Sequence, residues 1–208
     1  MKSRPEYFFY DCDEVVIIAS GPSVTQEQVD IVKQWREAKE GRIVVVVNRS
    51  YEVAPWADFL FTIDGKFARV WEEQIVEGFS GTMIVHEDAS YIPEWAKTVK
   101  ATMTGNSGSG AIEVVSLWGV NTIWLVGCDG RADDTGRKHH HEDYPKMPEG
   151  EHPKDWCMNC PNIHEFRNYF DRGIRIAQGR GAEVWNCSPI SKATKAEKRP
   201  IEDLLHDN

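Results

Sequence analysis

Apolar residues follow two rhythms along this chain. Short β-branched runs stop abruptly at Gly, Asn, Asp or Ser, and between them apolar residues recur every three or four positions. The runs at 14–19 (EVVIIA), 42–47 (RIVVVV), 59–63 (FLFTI), 82–85, 122–126 (TIWLV) and 182–185 predict strands, several of them apolar throughout. Val29, Val32 and Trp35 predict an amphipathic helix over 26–39, ended by Gly41. Val70, Trp71 and Ile75 predict a helix over 67–77. A strongly apolar helix is expected over 111–118, and Ile163, Phe166, Phe170, Ile174 and Ala177 mark the inner face of another over 162–178. Residues 91–97 read as one or two helical turns. The tail from Lys192 is charged and is expected to fray.

Strands alternating with helices predict one α/β domain over 1–208. It is expected to be Rossmann-like, with a mostly parallel sheet and helices on both faces. The stretch 131–161 is long, polar and rich in His, Pro and acidic residues, which predicts a lid-like insert. Trp35, Trp71, Trp118 and Phe166 fall at helical spacing and are expected in the core, as is Trp185 at a strand end.

A chain of 208 residues with 41% hydrophobic and 27% charged positions can bury a core without disulfide staples. The net charge of -9 counts against broad binding to a nucleic-acid backbone, which Lys and Arg supply. No apolar run is long enough for a membrane span, and no hydrophobic export block follows the N-terminus. A cytoplasmic protein with reduced thiols is expected, and the five cysteines fit no obvious disulfide framework. A homo-oligomer is compatible with this composition, although no interface is legible.

In a parallel sheet, ligands bind beyond the carboxyl ends of the strands. The chain places Ser20-Gly21-Pro22-Ser23 after its first strand, Asn48 after the second and Asp64 after the third. Gly127-Cys128-Asp129 follows the strand at 122–126. Asn106-Ser107-Gly108-Ser109-Gly110 opens an apolar helix, where free backbone amides suit a phosphate. Each piece also has a plainer explanation. Ser23 would cap the first helix, Asn48 would fill a turn, and the Gly/Ser run would be a flexible loop with a cap. Asp64 and Asp129 would be ordinary strand-end carboxylates. Otherwise they would accept from a ribose hydroxyl or hold Mg²⁺.

The insert region also holds most of the histidines. His152, Cys157, Cys160 and His164 are a candidate structural Zn²⁺ set of two thiolates and two imidazoles. The spacing is more compact than the usual two separated pairs. The alternative is two thiols in a loop.

The segments VIIASGPSV (16–24), VVVVNRSY (44–51), TGNSGSGAIEVVSLWGV (104–120), IWLVGCDG (123–130) and VWNCSPIS (184–191) occur in an order that resembles a known superfamily. It includes small bacterial sialyltransferases that use CMP-sialic acid, archaeal hydroxymethylpterin diphosphokinase-like proteins, and uncharacterised phage proteins similar to both. The likeness to the phage members is strongest, in the His-rich segment after Asp129, and it implies a host-cytoplasmic location if the gene is a phage's. The sialyltransferases usually carry Asn before the Gly-Pro-Ser turn, where this chain has Ser20.

The resemblance implies that Gly21, Pro22, Ser23, Asn48, Ser107, Gly108, Gly127 and Asp129 surround a nucleotide, with Ser20, Asp64 and Asn106 beside them. It also implies a general base among the lid histidines, first His141, then His140, with His139, His152 and His164 nearby. Lys66 or Arg131 would help to stabilise an anionic donor.

Three functions follow as expectations. The first is a glycosyltransferase-like transferase moving a sugar from a nucleotide donor to a hydroxyl acceptor, with Asp129 and the lid histidines as its catalytic groups. The second is an ATP/Mg²⁺-dependent diphosphokinase using Asp64 and Asp129. The third is a non-catalytic protein of phage type that binds or sequesters a nucleotide.

Overall fold

The computed structural model describes residues 12–102, 105–141 and 162–206. Its strands are β1 (Glu14–Ile18), β2 (Ile43–Val47), β3 (Phe59–Thr62), β4 (Thr82–His86), β5 (Lys97–Val99), β6 (Thr122–Val126), β7 (Glu183–Asn186) and β8 (Glu197–Lys198). They form one sheet in the order β5-β4-β3-β2-β1-β6-β7-β8, and every neighbouring pair is parallel. The chain thus builds outward from β1 through β2 to β5, then returns to pair β6 with the other side of β1. Val15 lies opposite Ile43 on one flank and Ile123 on the other. The strand order therefore reverses between β1 and β6, which is where open parallel sheets leave a crevice at their carboxyl edge.

The central strands are buried on both faces because alternate side chains enter two separate cores. Val15, Ile17, Val45, Phe61 and Leu125 face helices α4 (Ser107–Ser116) and α5 (Phe166–Gly179). Val16, Ile18, Val44, Leu60 and Trp124 face α1 (Gln26–Ala38), α2 (Gly65–Val70) and α3 (Glu72–Gly78). Each buried aliphatic side chain contributes ~1.5–3 kcal/mol of transfer free energy. This explains why uninterrupted Val/Ile runs, rather than alternating ones, form the middle of the sheet.

The helices start where local chemistry allows. Thr25, not Ser23, caps α1, in a capping box with Gln28, and Val29, Val32 and Trp35 form the buried stripe. The single helix expected over 67–77 is two. Trp71 adopts φ -104 and ψ 9 between them, stacked on Phe67 with ring centroids 5.5 Å apart, and Glu72 and Glu73 open α3. Helix α4 begins four residues earlier than its apolar run indicates. Asn106 Oδ1 accepts from the Ser109 N–H, and all ten residues of the helix are buried between the sheet and α5.

Two further expectations are corrected. Residues 91–97 do not form a helix. Tyr91 and Trp95 both donate to the Glu72 carboxylate, and the chain then extends into β5. The segment 192–206 packs onto the fold rather than fraying. Strand β8 pairs with β7, and a 3₁₀ turn at Ile201–Leu205 buries Ile201 and Leu204 in the core beside α1. No described helix is long and apolar enough to cross a membrane.

Candidate functional site

A cavity of about 300 Å³ opens at the carboxyl edge of the sheet. Its polar side comes from successive strand ends. Ala19, Ser20 and Gly21 follow β1, Val47 and Asn48 end and follow β2, and Ile63 and Asp64 follow β3. Gly127, Asp129, Gly130 and Arg131 follow β6, and Gly105 to Gly108 lead into α4. Lys138 and His139 close one side, and Phe67, Ile163, Phe166 and Phe170 form the apolar side. The volume is at the lower end of small-ligand sites.

Most of the residues expected around a ligand therefore meet in one place: Ser20, Gly21, Asn48, Asp64, Asn106, Ser107, Gly108, Gly127 and Asp129 all line it. Pro22 and Ser23 do not. Pro22 gives its carbonyl to Arg137, and Ser23 turns beneath the cavity toward Asp129. The β1–β6 ladder runs on past both strands, with Ala19 N–H donating to Val126 and Gly21 N–H to Gly127. Gly21 is required by this closeness. A Cβ there would lie 2.5 Å from Asp129 Oδ2 and would collide with the Gly127 carbonyl.

Asp129 is 1% exposed, and three donors hold it. Its Oδ2 accepts from the Ser23 backbone N–H at 2.8 Å. Its Oδ1 accepts from the Ser23 hydroxyl at 2.7 Å and from the Ser188 hydroxyl. The carboxylate thereby ties the loops after β1, β6 and β7 together as a brace under the cavity. Asp64 caps α2, its Oδ1 accepting from the N–H groups of Lys66 and Phe67. Lys66 is not among the cavity residues, whereas Arg131 is.

Two amide side chains differ from this satisfied framework. Asn106 is 8% exposed. Because its Oδ1 is committed to Ser109, its Nδ2 is the end left inside the cavity wall, and it makes no hydrogen bond among the described residues. Asn48 adopts φ 50, a left-handed conformation uncommon outside glycine, and its buried Oδ1 likewise has no partner. A buried polar atom without a partner costs roughly 1–3 kcal/mol, so both amides are suited to a polar ligand. Beside Asn106, the first amides of α4, at Ser107 and Gly108, have no acceptor within the helix and carry its positive end.

The three described histidines of this segment, His139, His140 and His141, have different surroundings. His140 is pinned from both ends. Its backbone N–H donates to the Ser20 carbonyl at 3.2 Å, and its Nε2 lies 3.2 Å from the Ser50 hydroxyl. Ser50 in turn lies 3.2 Å from the Ser20 hydroxyl, which donates to the Val47 carbonyl. Burial is the main cause that lowers the His140 pKa to about 3, with the neighbouring His141, His139, Arg49 and Arg137 pushing the same way. His140 is therefore neutral near pH 7 and ties residues 139–141 to the ends of β1 and β2. His139, 6% exposed, lines the cavity, and His141 stacks behind it with ring centroids 4.8 Å apart.

The candidate zinc set is not assembled within the described residues. His152, Cys157 and Cys160 lie outside them. His164 sits on a 3₁₀ turn at Ile163–Glu165 with its side chain 76% exposed. Among the described residues no group of three or more His, Cys, Asp or Glu side chains is arranged to hold a metal.

Sequence reasoning missed the apolar side of the cavity. Phe166 and Phe170 belong to a helical stripe that signals core, and Phe170, Ile174 and Ala177 do fill it. Phe166 is only half-buried and borders the cavity. The glycines of the α4 turn also serve packing. A Cβ at Gly108 would lie 2.7 Å from the Phe170 ring, and one at Gly110 would lie 2.9 Å from Phe61. No family model and no curated protein matches the chain.

Proposed function

We propose that this chain binds a nucleotide at the carboxyl edge of its sheet and transfers a sugar from a nucleotide donor to a hydroxyl acceptor. The observation that carries the proposal is that one small cavity is lined by the start of α4 and by Asn106 and Asn48, each of which holds a buried amide atom without a partner among the described residues. The helix amides of Ser107 and Gly108 and the Asn106 Nδ2 would receive the donor's phosphate, and Asn48 would accept from a hydroxyl or amino group of the nucleoside.

In the transfer, the acceptor oxygen forms a bond to the sugar's anomeric carbon as the bond from that carbon to the phosphate oxygen breaks. The electron pair leaves with the phosphate. Its growing charge would be met by the α4 amides, with Lys138 and Arg131 also among the residues that line the cavity. The acceptor's proton would pass to His139, the lid histidine that lines the cavity. His140 serves this reaction by position, because its bonds to Ser20 and Ser50 fix the segment that carries His139. The diphosphokinase alternative draws less support. Both oxygens of Asp129 already accept hydrogen bonds, and Asp64 spends one oxygen on its cap.

The test is thermal unfolding with a panel of nucleoside monophosphates and nucleotide sugars, with and without Mg²⁺, followed by product analysis with any donor that stabilises the chain. Ligand present at 100 times its Kd adds about 2.7 kcal/mol. Stabilisation by a nucleotide without Mg²⁺, with sugar transfer to a hydroxyl acceptor, is the expected result. Stabilisation only by ATP with Mg²⁺ would move the assignment to phosphoryl transfer. Binding without turnover would leave a sequestering protein, and no nucleotide effect at all would overturn the proposal.

A further inference from the structure

We propose that the apolar side of this cavity is a ring-stacking platform, with Phe166 as the residue that makes the site selective for nucleotides over simple sugar phosphates. The inference rests on the proposed seating of a phosphate at the start of α4 and concerns what lies beside it.

The aromatic wall comes from two elements on opposite faces of the sheet, Phe67 from α2 and Phe166 and Phe170 from α5, which meet only above its carboxyl edge. Phe67 and Phe170 are 1% and 4% exposed and are held by the two cores. Phe166 is only half-buried. The inner stripe of α5 runs Phe166, Phe170, Ile174, Ala177, and its lower members pack on the sheet. Phe166, at the helix start, packs against the core and also lines the cavity. A half-buried aromatic ring among the lining residues of a polar cavity offers apolar surface on which a flat ligand ring can settle.

The platform adjoins the phosphate subsite. The Phe170 ring occupies the space next to Gly108, where even a Cβ would lie 2.7 Å from it. A ligand anchored on the Ser107 and Gly108 amides therefore meets the aromatic wall within the cavity, while the strand-end residues Ser20, Gly21 and Asn48 face it from the polar side. A phosphate, a hydroxyl-bearing middle and a flat apolar-faced ring arranged around a compact core is the chemistry of a nucleotide. A sugar phosphate would satisfy the first two elements and leave the wall uncovered. Stacking on aromatic side chains tolerates any base, so Phe166 selects for the presence of a ring rather than for its identity.

Isothermal titration of the full chain with uridine 5′-monophosphate and with ribose 5-phosphate separates the claims. The wild-type chain should bind the nucleotide at least about tenfold more tightly than the sugar phosphate. Phe166→Leu keeps apolar bulk and removes the ring. It should weaken the nucleotide about tenfold and leave ribose 5-phosphate within about twofold. A second arm needs no variant. The wild-type chain should bind the 5,6-dihydro nucleotide, whose base is puckered, about fivefold more weakly than its planar parent. Equal affinity for planar and puckered bases, or equal loss of both ligands in Phe166→Leu, would overturn the platform. Binding of neither ligand by the wild-type chain would overturn the nucleotide proposal itself, whereas equal binding of both would remove only the inference about Phe166.

Discussion

Asp129 and Ser23 stand 106 positions apart and are joined twice, through the backbone N–H and the hydroxyl of Ser23. The pair brings the loop after β1 against the loop after β6, at the point where the strand order reverses. Asp129 is thus the brace that holds the Gly21 turn in place. Asp129→Ala would leave the two Ser23 donors and the Ser188 hydroxyl without their acceptor in a buried site. The expected cost is about 3 kcal/mol, which corresponds to a Tm lower by roughly 6–12 °C for a chain of this size. Thermal unfolding of the ligand-free protein measures it. An unchanged Tm would mean that the carboxylate is held for a ligand and not for the fold.

Much of this fold is legible in the sequence because its parallel sheet needs apolar strands on both faces. EVVII, IVVVV and TIWLV are uninterrupted for that reason. The rim of the cavity is legible for a related reason: a parallel sheet brings all its carboxyl ends to one edge, so Ser20, Asn48, Asp64 and Gly127 had to meet. The remainder is hidden where one pattern serves two purposes. Phe166 continues a core stripe to the edge of the cavity, where it packs on the core yet is only half-buried. Gly108 and Gly110 sit where Phe170 and Phe61 leave no room for a Cβ, so their presence follows from packing whether or not a phosphate binds. The charged residues around Ile201 and Leu204 mask an ordinary buried turn. Three consecutive histidines have no spacing by which the chain could announce which of them turns inward. Only the bonds from His140 to Ser20 and Ser50 decide that.

His140 makes stability depend on pH in a defined window. Its folded-state pKa is about 3 against an ordinary value of 6.5, so below 6.5 the unfolded chain binds a proton that the folded chain refuses. Stability is therefore fully present above about pH 6.5, falls as the pH drops toward 3, and loses nothing further from this group below that. Between pH 7 and pH 5 the loss should be about 1–2 kcal/mol. His140→Gln keeps a side chain able to bond Ser50 and removes the titration. The fall in Tm from pH 7 to pH 5 should be smaller in the variant by several degrees. Parallel curves for the two proteins would show that His140 titrates normally in the fold.

Leu204 tests the C-terminal turn. It is 0% exposed and packs with Ile201 into the core that α1 covers. Leu204→Ala should cost about 2–4 kcal/mol through lost transfer energy and the cavity left behind. Urea unfolding would show it as a lower midpoint with an unchanged slope. A frayed tail would instead leave the midpoint unmoved.

Asn106 allows the fold and the proposed ligand to be tested separately, because its two amide atoms have different tasks. Oδ1 caps α4 by accepting from the Ser109 N–H, while Nδ2 stands unpartnered in the cavity wall. Asn106→Asp preserves the first task. Aspartate is as good a helix cap as asparagine, and its charge is favourable near a helix N-terminus. It reverses the second task, since the donor becomes an acceptor and a negative charge stands where a phosphate should enter. The ligand-free Tm of Asn106→Asp should fall by only several degrees, the cost of an unpartnered buried carboxylate oxygen partly offset by the helix end, and the stabilisation by nucleoside monophosphate should disappear altogether. Asn106→Ala should lose binding and also about 1 kcal/mol of cap stability, which would confound the two effects. If Asn106→Asp instead binds the nucleotide with unchanged affinity, the phosphate does not sit at the start of α4, and the unpartnered Nδ2 must serve some other group.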